Sequence, residues 1–300
     1  MKQYKNKQKY LDPEVIKKIS NMEIKARLVV EGFISGLHKS PYQGFSVEFA
    51  EHREYVPGDE LRHIDWRVFG KSDRYFVKLY EEDTNLKCYI LLDVSHSMKY
   101  SSNGISKFEY GANLAGALTY LMLRQMDSVG LLTFDDKIRK YIPPRATPKH
   151  LKIILHELEK TETGNPTKVS NIFHDFAERI KKRGLIIVIS DLLDNPDEIM
   201  TSFQHFRHRK HEVVVFHLLD NDEIEFPFDR LTLFKGLEDK VEILTEPHAL
   251  RRTYISHLEE FLNRLRKGCR DGNIDYNLIN TKDSYAKALT QYLAARERTT

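Results

Sequence analysis

Residues 88–92 read Cys-Tyr-Ile-Leu-Leu, and residues 93–97 read Asp-Val-Ser-His-Ser. An unbroken apolar run of that length suits a strand covered on both faces, as in a parallel sheet flanked by helices. Similar runs follow at Val129–Phe134, Leu185–Ile189 and Val213–Leu219. Helical stripes separate them. Lys107–Gln125 carries Tyr110, Leu114, Leu118, Leu121 and Met122 on one side, and further helices are expected over Leu151–Leu158, Val169–Ile180 and Pro196–Phe206. Ile138–Ile142 reads as an edge strand returning after the Asp135-Asp136 turn. Residues 221–239 read as a loop rich in acidic and aromatic residues, followed by a short strand Val241–Leu244. A helix from Pro247 to about Arg266, a strand Ile274–Ile279 and a helix Ser284–Ala295 close the chain. This alternation predicts an α/β fold, a Rossmann-like, doubly wound, mostly parallel sheet with helices on both faces.

Ligands of such sheets bind beyond the carboxyl ends of the strands, where strand order switches. Asp93 stands at such an end. In extended backbone, residues two apart point the same way, so Asp93, Ser95 and Ser97 would present three oxygen atoms to one point. The same residues also suit a turn that caps the next helix. A second apolar run ends in Ser190-Asp191, and the loop Thr161–Thr167 feeds a helix. Converging, Asp93, Ser95, Ser97, Thr167 and Asp191 would make an all-oxygen set for a hard divalent cation. Magnesium comes first, with manganese or calcium as alternatives. Two carboxylates would balance the ion's charge and leave a position for a partner's Glu or Asp. His205, His208 and His211 allow a zinc reading, against that of a solvated helix end.

The 300 residues carry a formal net charge of +3, which gives no global case for a nucleic-acid or membrane partner. Two distant cysteines, Cys88 and Cys269, do not make a secreted disulfide framework. The opening residues MKQYKNKQKY are basic and are not followed by an apolar stretch, so neither a signal peptide nor a membrane span is expected, and the expected location is cytoplasmic. A helical pattern from Asp12 to about Ile34 precedes a Gly- and Pro-punctuated region. There, alternation predicts strands at Phe45–Phe49 and Phe76–Tyr80, and Tyr55–Asp59 reads as a turn. The charged and aromatic residues of this region, among them Glu48, Arg53, Arg62 and Trp66, read as salt bridges and turn-locking bonds. The expected organisation is an N-terminal helix with a small β-rich region over 1–85, then the α/β domain over 86–300.

Asp93-x-Ser95-x-Ser97, with Thr167 and Asp191, resembles the metal-ion-dependent adhesion site of von Willebrand factor A domains. The resemblance implies Ser95, Ser97 and Thr167 as direct or switchable ligands, with Asp93 and Asp191 often acting through water. Thr161 and Thr163 share the loop with Thr167, and Pro166 stands where the family usually has glycine. Upstream, Gly36-Leu-His-Lys-Ser40, Gly44-x-x-x-Glu48-Phe49, Arg53-Glu-Tyr55-x-Pro57-Gly58-Asp59 and Arg62-x-Ile64-Asp65-Trp66 run without a break into the central strand. They resemble the bacterial family called domain of unknown function 58, over roughly residues 30–296. Many relatives carry membrane helices before this region. The resemblance implies a partner, a MoxR-type AAA+ ATPase, and an adaptor role in chaperone-like assembly or maturation.

The function expected is therefore a non-enzymatic, metal-dependent protein-binding adaptor. The partner would be the ATPase, a client protein supplying an acidic ligand, or both. Two alternatives compete. A metal-dependent phosphoryl hydrolase would use Asp93 as nucleophile, but Ser95 stands where a dehalogenase-like enzyme wants a second Asp. A nucleic-acid-binding protein would use the basic tail and residues 205–211, which share no clustered element.

Overall fold

The computed structural model describes residues 11–37, 52–54, 76–78, 86–102, 104–166, 169–180, 182–237 and 241–297. The contacts divide the chain into two compact units, Met1–Lys39 with Leu86–Thr300, and Ser40–Asn85. In the second unit, β1 (His52–Glu54) and β2 (Phe76–Lys78) pair antiparallel. The strand expected at Phe45–Phe49 and the turn at Tyr55–Asp59 lie outside the described residues.

In the larger unit the strands are β3 (Lys87–Asp93), β4 (Ser128–Phe134), β5 (Ile138–Arg145), β6 (Leu185–Ser190) and β7 (Glu212–Leu219). A short hairpin, β8 (Thr232–Lys235) with β9 (Glu242–Thr245), precedes β10 (Asp275–Asn280). Among the described residues the central sheet has six strands, in the order β10-β7-β6-β3-β4-β5. All neighbours are parallel except β4 and β5. The α/β, mostly parallel, doubly wound architecture expected from the sequence is the one found, including its single antiparallel edge. The chain builds β4 and β5 on one side of β3, then crosses to place β6 on the other. That reversal makes the carboxyl edge between β3 and β6 the switch point.

Helices cover both faces. On one lie α1 (Pro13–Lys17), α2 (Met22–Leu37), α3 (Lys107–Arg124), α4 (Pro148–Lys160) and, from the chain's end, Tyr285–Glu297. On the other lie α5 (Val169–Arg179), α6 (Pro196–His208) and the long helix Pro247–Asp271. The central strand serves both layers by its period of two. Cys88, Ile90 and Leu92 enter the first core, while Tyr89 and Leu91 enter the second. This double demand is why the run is apolar throughout. Gly111 lets α3 approach closely, because a Cβ there would meet Leu92, Ile189 and Leu218 at 3.1–3.2 Å.

Three local expectations change. The first helix is two helices, with the second start capped by Asn21, whose Oδ1 accepts from the Ile24 amide at 3.0 Å. These helices bury Ile16, Met22, Val29, Val30 and Phe33 in the sheet's own core. The expected boundary at residue 85 therefore separates them in sequence from the unit they pack with. The loop expected over 221–239 contains α7 (Asn221–Glu225) and β8. Aromatic stacking explains this order without sequence periodicity. Phe226 stacks on Phe234 and Tyr254, with ring centroids 5.6 and 4.6 Å apart.

Candidate metal centre

Asp93 ends β3 and Asp191 immediately follows β6, so the two acids leave adjacent strands at the switch point. Both are fully buried. After Asp93 the chain turns within two residues: the Ser95 amide donates to Asp93 Oδ1 at 2.9 Å. The Ser95 and Ser97 hydroxyls then converge, 3.0 Å apart and buried. A single turn of 3-10 helix, Ser97–Lys99, ends the loop.

Neighbouring loops fix this conformation. The Val94 amide donates to Phe134 O at 2.8 Å, extending the ladder past the end of β3. The Gly164 amide donates to Val94 O at 2.7 Å, and the His96 amide to Asn165 O at 3.1 Å. Loop 161–166 therefore lies against the Asp-x-Ser-x-Ser loop, as the sequence leads one to expect. Thr167 itself lies outside the described residues. Of its two alternatives, Thr161 donates its hydroxyl to Glu157 O at 2.8 Å and so finishes α4. Asp135 is committed elsewhere: it accepts from Arg139 Nε at 2.5 Å and from the Asn165 amide at 3.1 Å.

Three residues that sequence reasoning did not assign complete the centre. Ser190 Oγ donates to Asp93 Oδ2 at 2.5 Å and accepts from the Leu192 amide at 2.9 Å. Lys107 Nζ, wholly buried, donates to Asp191 Oδ2 at 2.8 Å and to Glu223 Oε1 at 2.6 Å. A lysine at the first position of a helix opposes the helix dipole, and that anomaly was the signal available in the sequence. Glu223 offered none, since it sits in an acidic stretch.

The electrostatics follow from burial. Asp93 is pushed up to about 7, first by desolvation and then by the charge of Asp191, against the bonds from Ser190 and Ser95. Burial alone would lower the Lys107 ammonium, but Asp191 and Glu223 outweigh it and raise it. Burial raises Glu223, with Lys107 opposing. Asp191 Oδ1 is a buried acceptor with no hydrogen-bond donor among the described residues. Among the described residues no three His, Cys, Asp or Glu side chains gather as a metal-holding group, so a cation here would depend on the hydroxyls. The donor set fits a hard divalent cation on three counts: two carboxylates, two convergent hydroxyls, and one acceptor left without a partner. The histidine reading changes character. His205 pairs with His174 instead, Nδ1 to Nδ1 at 3.1 Å, on the exposed faces of α6 and α5.

The family described as "Protein of unknown function DUF58" matches residues 51–261. The chain belongs to the DUF58 family. Relatives to which it is similar include the uncharacterized proteins Mb1516 of Mycobacterium bovis and Rv1480 of Mycobacterium tuberculosis. Each is 25% identical over 300 residues, covering 96% of this chain and 91% of the relative. Among solved structures, the chain is similar to BatB from Bacteroides thetaiotaomicron, with TM-score 0.49 and 16% identity over 71% of this chain and 99% of that one. It is also similar to the SpRpn10 VWA domain, with TM-score 0.40 and 11% identity over 68% and 93%. The fold of this DUF58 chain is defined by its own strand order and direction, independently of those scores. Among the described residues, no helix is long and apolar enough to cross a membrane.

Proposed function

We propose that this chain is a non-enzymatic protein-binding module whose binding depends on a divalent cation. The cation is magnesium by the chemistry of its ligands, with manganese or calcium as substitutes. Asp93, Ser95, Ser97, Thr167 and Asp191 would hold it. The observation that carries the reading is a buried Asp191 Oδ1 without a donor among the described residues at the end of β6, with the paired Ser95 and Ser97 hydroxyls following the adjacent strand β3 at the switch point of the sheet. When bound, the ion supplies Lewis acidity for one further oxygen ligand, which a partner's carboxylate provides.

The chain's own residues do the rest. Ser95 N and Ser190 Oγ fix the Asp93 carboxylate. Gly164 and Asn165 bond the backbone on either side of Ser95, and Phe134 of β4 accepts from the Val94 amide. Adaptor work with a MoxR-type AAA+ ATPase, on a client protein, is the biological setting we propose for this site.

The test is capture of the purified MoxR-type ATPase from the same organism by the immobilised chain, in magnesium and in chelator. Asp93→Ala and the double variant Ser95→Ala/Ser97→Ala are compared with the wild type, with circular dichroism to check folding. Capture is expected in magnesium only, and neither variant should show it. Capture indifferent to chelator and to both variants would overturn the reading.

A further inference from the structure

Lys107 is placed where two effects oppose it. It opens α3, where the dipole disfavours positive charge, and its side chain has no exposed surface. Among the described residues, its two carboxylate partners offset those penalties. They are not equivalent. Asp191 gives the ammonium its Oδ2 and keeps Oδ1 without a donor. Glu223 is anchored on its far side, since its Oε2 accepts from the Asp220 amide at 2.7 Å in the capping box of α7. Its backbone oxygen also accepts from the Tyr254 hydroxyl at 2.8 Å. Asp220, next along, is already satisfied by Ser102, Thr281 and the Asp222 amide.

We propose that Lys107 and Glu223 form a charge-setting pair for the cation site. Lys107 grips one oxygen of Asp191 and so brings an ammonium against the ligand set. Glu223 cancels the ammonium that this grip brings into the site. The three carboxylates Asp93, Asp191 and Glu223, less the single ammonium of Lys107, leave a balance of −2 when all are ionised. A doubly charged ion matches that balance, and a singly charged one does not. The inference rests on the cation-site reading of the preceding section, and it concerns residues outside the ligand set.

The two partners therefore act on cation affinity with opposite sign. Glu223→Gln strips the compensation from Lys107 and sets the balance at −1. Lys107→Met sets it at −3. The double variant Lys107→Met/Glu223→Gln returns it to −2. Calorimetric titration with manganese chloride and with magnesium chloride at pH 8 reads these differences directly. Glu223→Gln should weaken binding by about tenfold or more, and Lys107→Met should tighten it by a similar factor. The double variant should recover most of the loss caused by Glu223→Gln. A merely structural role would weaken binding in every variant.

If Lys107→Met does not fold, the recovery from Glu223→Gln to the double variant decides. Loss in all variants, or change in none, overturns the pair while leaving the cation site standing, provided the wild type binds. A wild type that takes up neither metal removes the cation reading itself, and the pair with it.

Discussion

Ser190→Ala isolates how the Asp93 carboxylate is supported. In the wild type the Ser190 hydroxyl donates to Asp93 Oδ2 and accepts from the Leu192 amide, all three residues being fully buried. A hydrogen bond to a charged acceptor contributes about 1.5–3 kcal/mol, and a buried N–H left without a partner costs about 1–3 kcal/mol. The Leu192 amide belongs to a residue with φ of 50°, a backbone conformation that surrounding bonds must hold. Partial relaxation makes the two terms less than additive, so the expected loss is about 2–4 kcal/mol. For a domain of this size that lowers Tm by about 5–15 °C. The measurement is urea unfolding followed by circular dichroism in chelator at pH 8, above the value of about 7 to which burial and Asp191 push Asp93. Ser202→Ala is the comparison. It removes a buried hydroxyl bonded at 3.0 Å to the neutral carbonyl oxygens of Ser170 and Glu198, and should cost only about 1 kcal/mol. Equal losses from the two variants would refute the argument that a charged carboxylate depends on Ser190.

Three further outcomes are expected. Gly111→Leu should cost about 1–3 kcal/mol by forcing α3 away from β3, β6 and β7, read by chemical denaturation. His150 is buried and its pKa is held below the ordinary histidine value, first by burial, against its Nε2–H bond to Val129 O at 2.8 Å. The unfolded chain then binds more protons between the depressed pKa and about 6.5, so this contribution is complete above 6.5 and fades as pH falls below it. Urea midpoints at pH 7.5 and 5.5 should show that decline, and His150→Gln should lessen it. Phe234→Ala removes contacts to Phe226 and Phe228, at 5.6 and 5.2 Å between ring centroids. It should speed proteolytic cleavage within 232–245 by about tenfold or more while leaving the main unfolding transition nearly in place.

Much of the architecture was legible because local chemistry carried it. Cys88–Leu92 is apolar throughout since both faces of β3 are covered, and the period of α3 shows which of its sides meets the sheet. Asp93, Ser95, Ser97 and Asp191 were legible as strand-end residues, and the structure brings the loops that bear them to one edge. The segment at 221–239 was not legible, because Phe226, Phe228 and Phe234 are ordered by stacking on one another and not by an alternating pattern. The break between α1 and α2 was missed for a similar reason. The apolar stripe continues across it, and only the Asn21 cap marks the new start.

The sequence by itself determined the alternation of buried strands and amphipathic helices, the membership of the family, and the acids and hydroxyls at the strand ends. These depend on residue type and short spacing, which a single chain displays openly. Only the tertiary structure decided what surrounds those acids. Ser190 reaches Asp93 across 97 residues, and Lys107 reaches Asp191 across 84 and Glu223 across 116. A lysine is buried at a helix start only when the fold delivers compensating carboxylates from other strand ends. That delivery is a property of strand order, which no local pattern of Lys107, Asp191 or Glu223 encodes.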